Sequence, residues 1–266
     1  MKSNSLICST LKTNRQGNAK IMFWGDVHQG HENSNWKMAS DAAQYCLDNN
    51  IYMIVTGDML EVGTKTSIGD SVYTQDSPTG SQYFMVRDLL RPLAKKGLIL
   101  SIHMGNHEMR IQNNVGIDVC AQLADDLSVP YGGHGGFAYL KVGNQSYDIY
   151  GYHGKSGAKT SDGKRKALRD TMNFIDADVY WMGHVHKCDF FTESYQRIDR
   201  RNRKDIDFEK YFALTGHSLF YRDSYAEAGG MNPHKAGFML IELDGKERWV
   251  SGAPWPRDIT KYRKFN

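Results

Sequence analysis

The 266-residue chain is poor in cysteine and proline, with four and six of each. Cys8, Cys46, Cys120 and Cys188 are widely spaced and form no Cys-x-x-Cys pair, which argues against both a thiolate zinc site and a disulfide framework. Four free thiols suit a reducing cytoplasm. No run approaches the roughly 18 apolar residues that a spanning helix needs. The first residues lack the apolar core of a secretory signal, and neither end carries a lipidation motif. A cytoplasmic protein without membrane contact is therefore expected. An excess of one charge is missing as well: 33 Lys and Arg against 30 Asp and Glu leave +3. That balance argues against a surface that is basic all over, while leaving local patches open.

Histidine and glycine are present in quantity, with 10 and 26 residues. Histidine is the commonest metal ligand and glycine lets the backbone turn tightly beside one, so the places where they coincide matter most. Along the chain, short apolar runs alternate with helix-like segments. Strands are expected at 21–24, 51–55, 98–104, 137–142, 147–152, 179–182, 208–214, 237–243 and 247–250, and helices at 36–47, 83–93, 115–127 and 165–175. This order predicts an α/β class with a mixed sheet and a strand-rich final third. Residues 1–19 are expected to be a loosely attached extension and 20–266 a single domain. Loop insertions are expected near 61–81 and 217–235, and long loops of this kind are more often functional than idle.

Five polar clusters stand at or just after apolar runs: Gly25-Asp26-Val27-His28, Gly57-Asp58, Gly105-Asn106-His107-Glu108, Tyr152-His153-Gly154 and Gly183-His184-Val185-His186. In open α/β sheets, ligands bind beyond the carboxyl ends of the strands, where distant segments converge. Asp26 and His28 are two apart, as are His184 and His186. In extended chain such pairs share a face and can present two ligands to one point. Imidazoles with carboxylates and no thiolate suit Mn²⁺, Zn²⁺, Fe or Ni²⁺ rather than Ca²⁺.

The order D-x-H, GD, GNHE, an isolated His-Gly and GHxH resembles the calcineurin-like metallophosphoesterase superfamily over residues 25–186. The resemblance implies a four-layer α/β/β/α sandwich and two divalent metal ions, with Mn²⁺ expected and Zn²⁺, Fe or Ni²⁺ as alternatives. It implies one ion on Asp26, His28, Asp58 and His186, and the other on Asp58, Asn106, His153 and His184, with Asp58 bridging. His107 corresponds to a histidine that protonates the leaving oxygen or stabilises the phosphoryl transition state, with Glu108 orienting it. Such a site hydrolyses a phosphoester with a metal-activated hydroxide.

Within the superfamily, protein phosphatases follow the second motif with an Asp-Arg-Gly that supplies a phosphate-gripping arginine. This chain reads Gly57-Asp58-Met59-Leu60-Glu61 instead. The closing GHxH is typical of phosphodiesterases and nucleases, so a diester of a nucleotide or nucleic acid is the favoured substrate. A phosphomonoesterase, including a protein phosphatase, and a noncatalytic nucleic-acid or protein-binding module are the alternatives. Residues 155–204 hold 12 Lys or Arg against 7 Asp or Glu, so a basic stretch begins just after His153. Its first run, Lys155, Lys159, Lys164, Arg165, Lys166 and Arg169, is expected at the rim of the site. Its second, Arg197, Arg200, Arg201, Arg203 and Lys204, reads as a solvated face. His31, His103 and His134 read as satisfied core residues. His217, Tyr221, Tyr225, Gly229-Gly230 and His234 form a stretch able to cover the site and stack a base, or simply to pack on the surface.

Overall fold

Apolar runs bounded by glycine become short strands covered on both faces, as buried parallel strands require. The computed structural model describes residues 6–64, 75–220 and 235–262. One sheet has the order β12-β11-β2-β3-β4-β5, built from β2 (Ala19–Trp24), β3 (Tyr52–Val55), β4 (Ile99–His103), β5 (Tyr131–Gly133), β11 (Gly237–Leu243) and β12 (Val250–Trp255). The other runs β1-β6-β7-β8-β10-β9, with β1 (Ile7–Leu11), β6 (Gly135–Val142), β7 (Gln145–Tyr152), β8 (Val179–Met182), β9 (Cys188–Asp199) and β10 (Lys204–His217). They meet where Gly216 and His217 of β10 pair antiparallel with Phe238 and Gly237 of β11. The fold is a mixed α/β architecture, as the alternation predicts.

Side-chain alternation sets the layering. In β2, Met22 and Trp24 face α1 (Trp36–Asn49), where the Trp24 indole donates to Ala39 O at 3.1 Å and Cys46 Sγ lies 3.6 Å from Met22 Sδ. Phe23 points the other way, 6.0 Å from Trp181 of the second sheet. Phe23 and Trp24 are fully buried and Trp181 nearly so, each contributing about 2–3 kcal/mol of apolar transfer. On the far face of the second sheet, Tyr180, Met182, Phe212 and Leu214 pack against Leu168 of α5 (Ser161–Arg169). Helix, sheet, sheet and helix therefore stack in that order.

Several local expectations change. Ile7 and Leu11 are buried in β1, which pairs with β6, so part of the supposed loose extension is an edge strand. The segment expected as one helix over 115–127 is divided, because Gly116 (φ 75°) ends α3 (Asn106–Val115) and the Asp118 side chain caps α4 (Val119–Leu127). The expected helix at 165–175 is α5 followed by a 3₁₀ turn at Asp170–Asn173. The strand expected at 247–250 is displaced: Asp244 Oδ1 accepts from the Lys246 and Glu247 amides to make a turn, and β12 follows it. Helix α2 (Thr79–Lys95) begins earlier than its apolar period suggests. Of the 61–81 insertion, residues 65–74 lie outside the described residues, as do 221–234 of the later loop. Among the described residues no helix is long and apolar enough to cross a membrane.

Candidate metal centre

The strands that point the same way, β2, β3, β4, β7 and β8, all release their chains at one end, and each loop there carries one of the five clusters. These loops are not extended. Asp26, His28, Asp58, His184 and His186 have φ of 48°, 50°, 47°, 66° and 49°. The pairs two residues apart therefore converge through left-handed residues, each costing on the order of 1–3 kcal/mol, rather than through the shared face of an extended chain. Hydrogen bonds hold them. Val27 and His28 amides donate to Asp58 O, and the His184 amide donates to both Asp26 carboxylate oxygens at 3.1 Å. The Glu108 carboxylate accepts from the amides of Asp58, Met59, Leu60 and Gly105 at 2.7–3.1 Å. Gly105 has no alternative, since a Cβ there would lie 2.1 Å from Asp58 Oδ1.

All seven residues expected as ligands come together. His28 Nε2 and His186 Nε2 are 3.2 Å apart, and His186 Nε2 is 3.3 Å from Asp26 Oδ1. Asn106 Oδ1 lies 2.7 Å from His184 Nδ1 and 3.1 Å from His153 Nε2. Asp58 Oδ2 stands between these two groups, 3.1 Å from His153 Nε2 and 3.9 Å from His28 Nε2. Asp26, His28 and His186 place ligand atoms within 4.8 Å of one another, as do Asp58, His153 and His184. The donor set suits borderline transition metals. His153 Nδ1 lies 2.8 Å from Thr56 O, and His28 Nδ1 lies 3.1 Å from Glu61 Oε2. Outer partners of this kind fix the tautomer and free Nε2 for a metal.

His107 sits against the same cluster, its amide donating to Asp58 Oδ1 at 2.8 Å. Its Nδ1 is 2.7 Å from Glu61 O and 3.3 Å from Glu61 Oε2, while Nε2 is 3.1 Å from Arg110 Nη2. The group that orients His107 is therefore Glu61. Glu108 is occupied with four backbone amides and pins the loop instead. Glu61 and Arg110 are not among the site residues that the sequence pattern picks out. The available signal was their spacing, three residues after Asp58 and three after His107, which brings side chains back over one loop and one helical turn.

The buried charges compensate one another. Burial opposes ionisation of Asp58, but His153 and His107 hold its carboxyl well below the usual range. Burial would lower His153, yet the Asp58 carboxylate raises it to about 10. His28 goes the other way, to about 4, through burial and the neighbouring His107 ring. Burial also disfavours charge on Glu61, which His107 and His28 nonetheless keep well below the usual range. The His186 side chain is 36% accessible and that of His107 14%, against 5% or less for His28, Asp58 and His153. Solvent and any ligand thus reach the cluster from the His186 and His107 side.

The remaining expectations divide. His103 is a core residue, 3.0 Å from Ser101 Oγ and edge-on to Trp181, whereas His31 is only partly buried and His134 is exposed. His217 reaches the centre, its ring stacked on His186 at 5.4 Å, while Tyr221, Tyr225, Gly229-Gly230 and His234 lie outside the described residues. Arg165 and Arg169 of the first basic run are drawn into ion pairs with Asp189 and Glu193.

No family model and no curated protein matches the chain. Solved structures do. A single mutant of Vps29 from Entamoeba histolytica is 16% identical, with 88% of this chain and 97% of that one covered and a TM-score of 0.41. A metallophosphoesterase from Sphaerobacter thermophilus is 12% identical, with 92% and 91% covered and a TM-score of 0.41. A predicted phosphoesterase from Streptococcus pneumoniae TIGR4 is 13% identical, with 89% and 90% covered and a TM-score of 0.40. These are distant likenesses, and the chemistry of the site rests on its own residues.

Proposed function

We propose that this chain is a dinuclear-metal-dependent phosphoesterase that hydrolyses a phosphodiester of a nucleotide or nucleic acid. The observation that carries the reading is the position of Asp58 Oδ2 between two imidazole-rich groups, within 3.9 Å of a histidine from each. Asp26, His28, Asp58 and His186 would hold one ion, and Asp58, Asn106, His153 and His184 the other. Divalent ions, Mn²⁺ foremost, supply Lewis acidity toward a phosphoryl group and acidify water. The chain's own residues do the rest. Glu61 fixes the His107 ring through Nδ1, and Nε2, which faces Asp58 Oδ2 at 3.9 Å and accepts from Arg110 Nη2, delivers a proton to the leaving oxygen once the guanidinium turns to the phosphoryl group. Arg110, ion-paired with Glu61 at 3.8 Å and hydrogen-bonded to Glu61 O at 3.1 Å, brings a guanidinium beside His107 that matches phosphoryl oxygens.

The test is a metal analysis joined to a Mn²⁺ substrate panel: a generic diester, a generic monoester, cyclic nucleotides, and single- and double-stranded DNA. Two ions per chain and diester turnover are expected. Monoester-only turnover would replace the diester assignment, and folded metal-free protein inert toward every ester would sink the enzyme reading in favour of a binding module.

A further inference from the structure

The second basic run is built differently from the first. Strand β9 leaves the metal centre two residues after His186, and β10 returns to it, ending at His217 stacked on His186. β10 pairs with β8 only over Tyr211–Leu214, so Lys204–Lys210 pairs with β9 alone. The two strands thus form an arm that runs from the metal end of the sheet past its opposite end. Twelve residues of β9 span about 40 Å.

Register separates the charges on this arm. Residues opposite one another share a face, so Arg197, Asp199, Lys204 and Ile206 lie on one side and Ile198, Asp205 and Asp207 on the other. The connecting turn adds Arg200, Arg201 and Arg203, all exposed. Asp199, the acid nearest the turn on the basic side, is engaged by the turn itself, accepting from the Arg201 amide at 2.9 Å and from Asn202. Arg197 lies 4.8 Å over the Phe208 ring. Among the described residues, the side chains of Arg200, Arg201, Arg203 and Lys204 enter no hydrogen bond or ion pair. The basic side is the one on which α5 packs, because Glu193 and Tyr195 on that face meet Arg169 and Met172. α5 joins the parallel strands β7 and β8, so it too runs from the metal end along this outer face.

We propose that this face, from α5 to the arginine-bearing turn, binds the phosphate backbone of a polynucleotide, with the arm gripping it at a distance from the metal centre. This rests on the phosphodiesterase reading and names its substrate class as a polymer. Four of the five cations are arginines, whose planar forks match phosphate oxygens. The exposed apolar Ile198 is on the opposite, acidic side, which disfavours a membrane surface. At about 3.4 Å per base pair, the arm's reach corresponds to roughly ten to twelve pairs. Short substrates cannot touch both ends.

The experiment compares wild type with the triple substitution Arg200→Ala, Arg201→Ala, Arg203→Ala, using Asp205→Asn as the opposite-face control. Anisotropy with labelled DNA and RNA hairpins of about 8 and about 24 base pairs, across salt, is expected to show a loss of tenfold or more for the long hairpins only. The slope of log affinity against log salt should shrink by about 2–3 for three lost phosphate contacts. Turnover of a small generic diester should be unchanged in every variant, and Asp205→Asn should bind as tightly as wild type. Equal binding of the long hairpins by wild type and the triple variant would overturn the proposal. So would arm-dependent capture of phosphatidylserine vesicles without arm-dependent hairpin binding. A wild type inert toward the small diester marks failure of the phosphodiesterase reading instead, while an active wild type with arm-independent hairpin binding overturns this inference alone.

Discussion

The metal centre and the β9–β10 arm handle charge in opposite ways. In the centre, Asp26 and Asp58 are buried, each faces imidazoles, and the loops that carry them are strained and held by Glu108 and by one another. On the arm, Arg200, Arg201 and Arg203 of the turn stand in water with no hydrogen bond or ion pair among the described residues, and Arg197 is exposed over the Phe208 ring. Matched charge at a fixed point suits bond chemistry, where preorganised groups act without rearranging. Unmatched exposed charge suits long-range attraction of an extended polyanion. One net charge of +3 thus contains two distinct electrostatic devices.

Substitutions separate the two regions, and the largest effects fall in the centre. Asp58→Asn should lower phosphodiester turnover by at least ~10³-fold and reduce the metal content seen by elemental analysis, because both groups lose a shared carboxylate. His107→Ala should lower kcat by about 10²–10⁴-fold with metal content unchanged, which single-turnover kinetics and elemental analysis check together. Glu108→Gln should cost about 2–4 kcal/mol in denaturant unfolding, since a buried acceptor for four amides is replaced by an amide that can accept at one oxygen only.

A pH effect belongs beneath the centre. Burial depresses His103 from 6.5 to about 3. The unfolded chain therefore takes up its proton below pH 6.5 while the folded chain does not, and stability falls as pH drops toward 3. At pH 5 the loss is about 2 kcal/mol. His103→Gln should flatten this acid limb in chemical melts at pH 5 and 7. The smallest effect is expected on the arm, where Arg200→Ala should change unfolding free energy by less than about 0.5 kcal/mol at any of these pH values.

Much of the centre was legible in the chain. Asp26, His28, Asp58, Asn106, His107, His153, His184 and His186 each follow a buried apolar run, and an apolar run ending in glycine predicts where a strand must release its chain. The conformations were not legible, because left-handed φ at Asp26 or His186 is imposed by bonds from loops more than thirty residues away. Glu61 and Arg110 were obscured for the same reason: nothing local to either says that both will reach His107. Edge strand β1 depends on β6 being present, and the helix break at Gly116 on a cap that only the folded turn displays. Position after His153 separates the two basic runs in the sequence, but which of them is neutralised is decided by the acids at Asp189 and Glu193 and by cross-strand register.

Strand β10 carries one further consequence. It is a single unbroken span from Lys204 on the arm to His217 beside His186, so the two devices are mechanically one rod. Trimming the arm by matched residues on β9 and β10 shortens the rod and leaves the alternation of its base intact. Deleting one residue from β10 alone, between Asp207 and Lys210, moves Asp205 and Asp207 onto the side that Arg197 occupies and takes Lys204 off it. The length of the arm is therefore free to drift between relatives, and its parity is not.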